Sequence, residues 1–305
     1  MGVDVGVRPA SGTRSDTLGP SGPSQATTRW AWILVWLMAA FTIVTSIWTS
    51  LIPGGLVGII NTILLVAFAL VHGISVYGGR TMLWFIIVCL VVSNVAENLS
   101  IVTGFPFGHY HYTDILGSKL FLVPVTIGGA YFGAGYLAWT VSLALLGRAG
   151  PALDGFSRWA APAAAAVLMT SWDFMLDPTA STINKWWIWE QGGGFFGVPF
   201  SNYLGWLLTV FVFFAIFSAI VAARFHGFGG ASASFWITAV WMYGLLGVRY
   251  VLLYAMPSTQ TTYVDAAGHV WLKHDIYEAA ALTAIFTVFA FSLFAALRLK
   301  DPARR

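Results

Sequence analysis

Charge is what this chain has least of. Only 9% of its 305 residues are Asp, Glu, Lys or Arg, against roughly 25% in an ordinary soluble domain. A soluble protein of this length could bury a large core, but it would still need a charged surface, and these residues are too few to make one. Nucleic acid is excluded as a partner on similar grounds, because the net charge is only +3 and the basic residues form no cluster. Cysteine is nearly absent as well. Cys89 stands alone among Ile, Val and Leu, so no internal disulfide can form and no redox compartment follows.

Apolar residues fill the space instead, at 58% of the chain. A membrane span needs about 20 predominantly apolar residues to cross roughly 30 Å of hydrocarbon. Spans are expected near 31–51, 56–77, 82–103, 120–147, 158–178, 200–223, 234–256 and 277–298. Pro53-Gly-Gly55 and Tyr77-Gly-Gly-Arg80 mark tight breaks, and Pro124 and Pro199 suit the first turns of their helices. The expected fold is an all-α polytopic transmembrane bundle of about eight spans. Residues 1–28, rich in Gly, Ser, Thr and Pro, are expected to be a disordered tail. Residues 29–300 then form the membrane domain, and 301–305 a short basic tail. The first apolar run is too long for a signal peptide and has no small-residue cleavage site after it.

Positive charge orients the bundle. With the N-terminus inside, the inner segments carry Arg8, Arg14, Arg29, Arg80, Arg148, Arg158, Arg224, Arg298, Lys300, Arg304 and Arg305, whereas the outer ones carry only Lys119, Lys185 and Lys273. Both termini are therefore expected on the cytoplasmic side of the cell membrane.

This orientation gathers the unusual residues toward one face. Glu97, Asp173, Asp177 and Arg249 fall near the outer ends of their spans, beneath loops holding Phe107-Gly-His-Tyr-His-Tyr112 and Trp186-Trp-Ile-Trp-Glu190. Ionisable groups within a span are costly and mark functional candidates. Asp173 and Asp177, four apart, share a helix face, as do Asn94, Glu97 and Asn98. Two such faces meeting would make a polar pocket under an aromatic roof. Pairing with Arg249 is the bland alternative, but one arginine cannot absorb three carboxylates. His109 and His111 invite a metal reading, yet the chain has six histidines and none of the repeated histidine boxes of membrane di-iron oxygenases. No metal is expected, and hydrogen bonding at the pocket mouth suits them better. Trp186, Trp187 and Trp189 would sit at this depth in any aromatic belt, though their density beside the carboxylates favours binding. A faint internal echo adds to the pattern: Phe107-Gly108 and Phe196-Gly197 each precede a Val-Pro pair.

At these residues the sequence resembles a known family. Glu97 with Thr103-Gly-Phe-Pro-Phe-Gly-His-Tyr-His-Tyr112 is similar to a first signature of the carotenoid biosynthesis membrane proteins that include CruF-type hydratases. Asp173-Phe-Met-Leu-Asp-Pro178, Trp187-Ile-Trp189, Gly197-Val-Pro199 and Asn202-Tyr-Leu-Gly-Trp206 are similar to a second. The resemblance covers roughly 80–255. It implies hydration of a terminal isopropylidene double bond of an acyclic or monocyclic carotenoid to a tertiary alcohol, with no cofactor. It also implies a carotenoid substrate taken from the bilayer, with other membrane enzymes of the pathway as partners.

The residues suit that chemistry independently. Hydrating a trisubstituted alkene begins with a proton, so a carboxyl group must stay protonated at neutral pH, a state favoured by burial and a like-charged neighbour. The Asp173/Asp177 pair is the expected donor. Glu97 or His109 is the expected base for water, and Trp187, Trp189, Tyr110 and Tyr112 would stabilise the cation. His111, Asn202 and Arg249 complete the expected substrate-binding set. Two rivals stand beside this reading. A lycopene elongase-like prenyl transferase would need paired aspartate-rich diphosphate motifs, which are not present. A transporter or scaffold would use the carboxylates as relay groups, though no pair of broken helices marks such a site.

Overall fold

The computed structural model describes residues 22–148, 150–225, 230–257 and 260–300. Arg8, Arg14, Arg304, Arg305 and the 301–305 tail lie outside the described residues. In chain order the elements are α1 (Gln25–Ile47), α2 (Gly54–Thr103), β1 (Tyr110–Tyr112), β2 (Lys119–Leu120), β3 (Val123–Pro124), α3 (Val125–Leu145) and α4 (Ser157–Asp177). After a π-helical turn at Pro178–Ile183 come β4 (Trp187–Trp189), α5 (Phe200–Arg224), α6 (Ala233–Ala255), β5 (Thr262–Val264) and β6 (Val270–Leu272). The last rod is α7 (Lys273–Thr283), a π-helical stretch at Ala284–Phe289, and α8 (Ala290–Lys300). The bundle is predominantly helical, as expected. α1 begins at Gln25, capped by the Ser24 hydroxyl, so helix reaches four residues into the segment expected to be disordered.

Among the described residues five helices are long and apolar enough to cross a membrane: Gln25–Ile47, Gly54–Thr103, Phe200–Arg224, Ala233–Ala255 and Lys273–Lys300. Their outer faces present Trp36, Leu83, Val91, Val95, Phe286 and Leu297 to the surroundings, which suits lipid better than water. α2, at 50 residues, is twice the length of one span and is broken at Gly78, where φ is +73°. Its two arms fold back on one another. Gly133 of α3 packs against Leu65 in the first arm, and Gly128, only five residues away, packs against Leu90 in the second. A straight helix rising 1.5 Å per residue could not bring both arms to the same two turns.

α3 and α4 fall outside the five for a physical reason. Every residue from Tyr131 to Ala144 is buried, so α3 meets protein all round. Such a helix is built from Gly, Ala, Ser and Thr, which let neighbours approach closely, and these lower its hydropathy. α4 is similarly rich in alanine and packs along α5.

Three loops meet at one end of the bundle. β1 pairs antiparallel with β4, and the β5–β6 hairpin leans on the same region through Phe196 and Trp271, whose ring centroids are 5.3 Å apart. α5 enters beneath the 105–108 turn at Gly205. A β-carbon there would stand 2.6 Å from the Pro106 carbonyl oxygen, so only glycine permits the approach.

Candidate functional site

The β1–β4 ribbon explains why aromatics alternate in both loops. Tyr110 faces Trp189 and Tyr112 faces Trp187 in the register. Side chains alternate across a strand, so all four point to the buried side, and His111 and Ile188 point away. Each carboxylate is capped by the aromatic pair from its own loop. Glu97 Oε2 accepts from the hydroxyls of Tyr110 and Tyr112, the latter at 2.9 Å, and Oε1 accepts from Tyr131 at 2.8 Å. Asp177 Oδ1 accepts the indole N–H groups of Trp187 at 2.7 Å and Trp189 at 3.1 Å. One amide joins the two aspartates: Asn202 Nδ2 donates to Asp177 Oδ2 at 2.7 Å and to Asp173 Oδ2 at 2.9 Å. Asp173 Oδ1 is buried with no hydrogen-bond partner among the described residues. Burial first, and then the Glu97 carboxylate, holds the loop phenols of Tyr110 and Tyr112 well above the usual range, so both remain protonated donors.

A cavity of 40 Å³ lies between these groups, more than the roughly 10–15 Å³ that one water requires. Glu97 and Asp177 both line it, with Tyr110, Tyr112, Tyr131, Trp187, Trp189 and Asn202 around them. Asp173 does not line it and reaches it only through Asn202. A larger cavity of 130 Å³ adjoins, since Ile127, Ala130, Trp172, Leu176 and Trp187 line both. Arg249 belongs to this second cavity, where its guanidinium donates to Thr45 Oγ1 at 3.2 Å. None of the ion pairs among the described residues involves Arg249, Glu97, Asp173 or Asp177, so the bland pairing is not formed.

The remaining expected residues divide. Tyr110, Tyr112, Trp187, Trp189 and Asn202 converge with the carboxylates. His111 lies on the outer face of the ribbon, 54% exposed, beside Glu190 at 3.4 Å. His109 is turned toward Gly104 and lines neither cavity. The two histidines face different surroundings because β1 begins at Tyr110, which leaves His109 in the preceding turn and outside the alternation that turns His111 outward. Among the described residues no cluster of three His, Cys, Asp or Glu side chains could hold a metal ion.

Tyr131 escaped the sequence reading, and Trp206 entered it only as the end of the second signature. Tyr131 donates to Glu97, and it stacks on Trp206 with centroids 4.6 Å apart and planes 5° from parallel. The internal echo holds their signal. Tyr131 stands seven residues after Pro124, and Trp206 stands seven after Pro199. Each half therefore supplies a carboxylate-bearing helix, a strand with two aromatics spaced two apart, a Val-Pro turn, and a helix whose second turn sends a ring to the centre.

The profile of the carotenoid biosynthesis protein family matches residues 54–267, a stretch that contains the whole of this constellation. The chain is also 35% identical over 114 residues to a bisanhydrobacterioruberin hydratase from Haloarcula japonica. That alignment covers 37% of this chain and 36% of the relative, so the chain matches about a third of the relative's length. No solved structure matches. From the matched span of more than half its length, this chain belongs to the carotenoid biosynthesis protein family.

Proposed function

We propose that this protein is a carotenoid hydratase, which adds water across a terminal isopropylidene double bond and makes a tertiary alcohol without a cofactor. The observation that carries the reading is the pair of buried carboxyl groups facing one water-sized cavity, each held by a different kind of partner. The hydratase relative supports the reaction class, and the apolar rods support a substrate drawn from the bilayer. In this reading all eight rods cross, with both termini on the cytoplasmic side.

The hydrogen-bond partners assign the roles. Indole N–H groups only donate, so Trp187 and Trp189 favour Asp177 as an anion. Three of its roughly four lone-pair positions are occupied, which leaves one for a water. Tyrosine hydroxyls both donate and accept, so Glu97 keeps its partners whether or not it carries a proton. We therefore assign Glu97 as the acid and Asp177 as the base, an exchange of the roles expected from sequence. Glu97 gives its proton to the less substituted alkene carbon, and the π bond breaks to leave a tertiary cation. The rings of Trp187 and Trp189 and the Asp177 charge stabilise it. Water adds through oxygen and yields a proton to Asp177, and the protons re-equilibrate so that only water is consumed. Asp173, whose bare Oδ1 is best tolerated on a neutral carboxyl, is a positioning residue acting through Asn202.

Glu97→Gln tests this cleanly, because the tyrosines can rotate to satisfy an amide. The variant should accumulate normally and lose turnover by about 10²–10⁴-fold, the usual worth of general acid catalysis. Turnover within twofold of wild type would remove Glu97 from the mechanism.

A further inference from the structure

The larger cavity contains polar groups that the proposed chemistry leaves unused. It lies among α1, α2, α3, α4 and α6, and its wall is mostly apolar, as an isoprenoid chain end would require. Thr42, Thr62, Thr126, Thr179, Asn184 and Tyr250 interrupt that wall, and so do the two side chains of interest, Arg249 and Asn61. Arg249 enters from α6, and Thr45 steadies it by accepting one N–H at 3.2 Å while its own hydroxyl donates to Phe41 O at 2.8 Å. Arginine has five such donors and no acceptor. Asn61 enters from the first arm of α2, and its Oδ1 is buried with no hydrogen-bond partner among the described residues. An unpartnered buried carbonyl is costly, so a group that lines a cavity in this state is suited to a ligand.

The two side chains together specify the ligand's chemistry. The guanidinium requires an acceptor and Asn61 Oδ1 requires a donor. A carboxylate or phosphate oxygen satisfies the first only, and an ammonium the second only. A hydroxyl oxygen satisfies both. We propose that the Arg249–Asn61 cavity is a hydroxyl-binding subsite. Under the hydratase reading, on which this inference rests, its occupant is the tertiary alcohol leaving the carboxylate cavity or the water destined for it. Trp187 fits it for either role, since that ring lines both cavities and its N–H holds Asp177.

The test needs no turnover. The full-length protein in lipid nanodiscs is titrated with 2-methyl-2-heptanol and, separately, with the alkene 2-methyl-2-heptene. Emission from Trp172, Trp186 and Trp187 reports occupancy. Wild type should bind the alcohol at least tenfold more tightly than the alkene. Asn61→Leu and Arg249→Met should each remove that preference while still binding the alkene, which shows that the cavity has not collapsed. That outcome assigns the alcohol. No preference, but an ordered water bonded to both side chains in a high-resolution map and missing in Asn61→Leu, assigns water. Equal binding without such a water overturns the subsite, and it would do so even if Glu97→Gln had already upheld the hydratase. Conversely, a preference for the alcohol alongside an active Glu97→Gln would keep the subsite and reject the mechanism.

Discussion

Replacing Asn202 with leucine removes one amide of similar size and nothing else from the cavity wall. That amide makes the 2.7 Å bond to Asp177 Oδ2 and the 2.9 Å bond to Asp173 Oδ2. A hydrogen bond to a charged acceptor contributes about 1.5–3 kcal/mol. If Asp177 is the anion that faces the cation and takes the proton from water, that amount is lost where the barrier is set. Each 1.36 kcal/mol is tenfold in rate, so kcat should fall by about 10–150-fold. The second bond, to a neutral Asp173, adds mainly to the cost of folding, at about 0.5–1.5 kcal/mol. Membranes containing equal amounts of wild type and Asn202→Leu, supplied with an acyclic carotenoid, give the rate from the alcohol separated by chromatography. Normal accumulation with a rate within twofold of wild type would refute the argument, because Asp177 would then not depend on the Asn202 amide supplied by α5.

His111→Ala should leave turnover within twofold of wild type, because the ring is on the solvent side of the ribbon with Glu190; a loss above tenfold in pigment assays would restore it to the site. Reporter fusions after residues 115, 190 and 267 should read outside the cytoplasm, and those after 79, 152, 228 and 303 inside it. A cytoplasmic signal at 190 would reverse the proposed orientation.

The rods were legible in the sequence because lipid and length constrain them jointly. The break at Gly78 was written as Tyr77-Gly-Gly-Arg80, and five rods meet the length and hydropathy of a span. The buried α3 was legible only by its apolar length, since a helix enclosed by protein has no polar face to give it a period. The site was legible in its carboxylates and aromatics, because charge inside a membrane and paired aromatics near it both require explanation. Which group partners which was not. Asp173 and Asp177 share a helix face by spacing, yet one lines the cavity and the other lies behind Asn202. His109-Tyr-His111 suggests two equivalent ligands, but the strand starts at Tyr110, so His111 is turned outward while His109 stays in the turn before it. Tyr131 carried only the seven-residue echo with Trp206, a relation whose meaning appears once the two rings stack.

The central claim is that water alone is added, and isotopes test it most directly. Membranes given an acyclic carotenoid in ¹⁸O-labelled water, under strictly anaerobic conditions, should yield a tertiary alcohol carrying the label. In D₂O one deuterium should appear on the carbon beside the carbinol, as protonation before water attack requires. A hydroxyl oxygen drawn from O₂, or a product enlarged by a five-carbon unit, would contradict the account and return Glu97 and Asp177 to other chemistry.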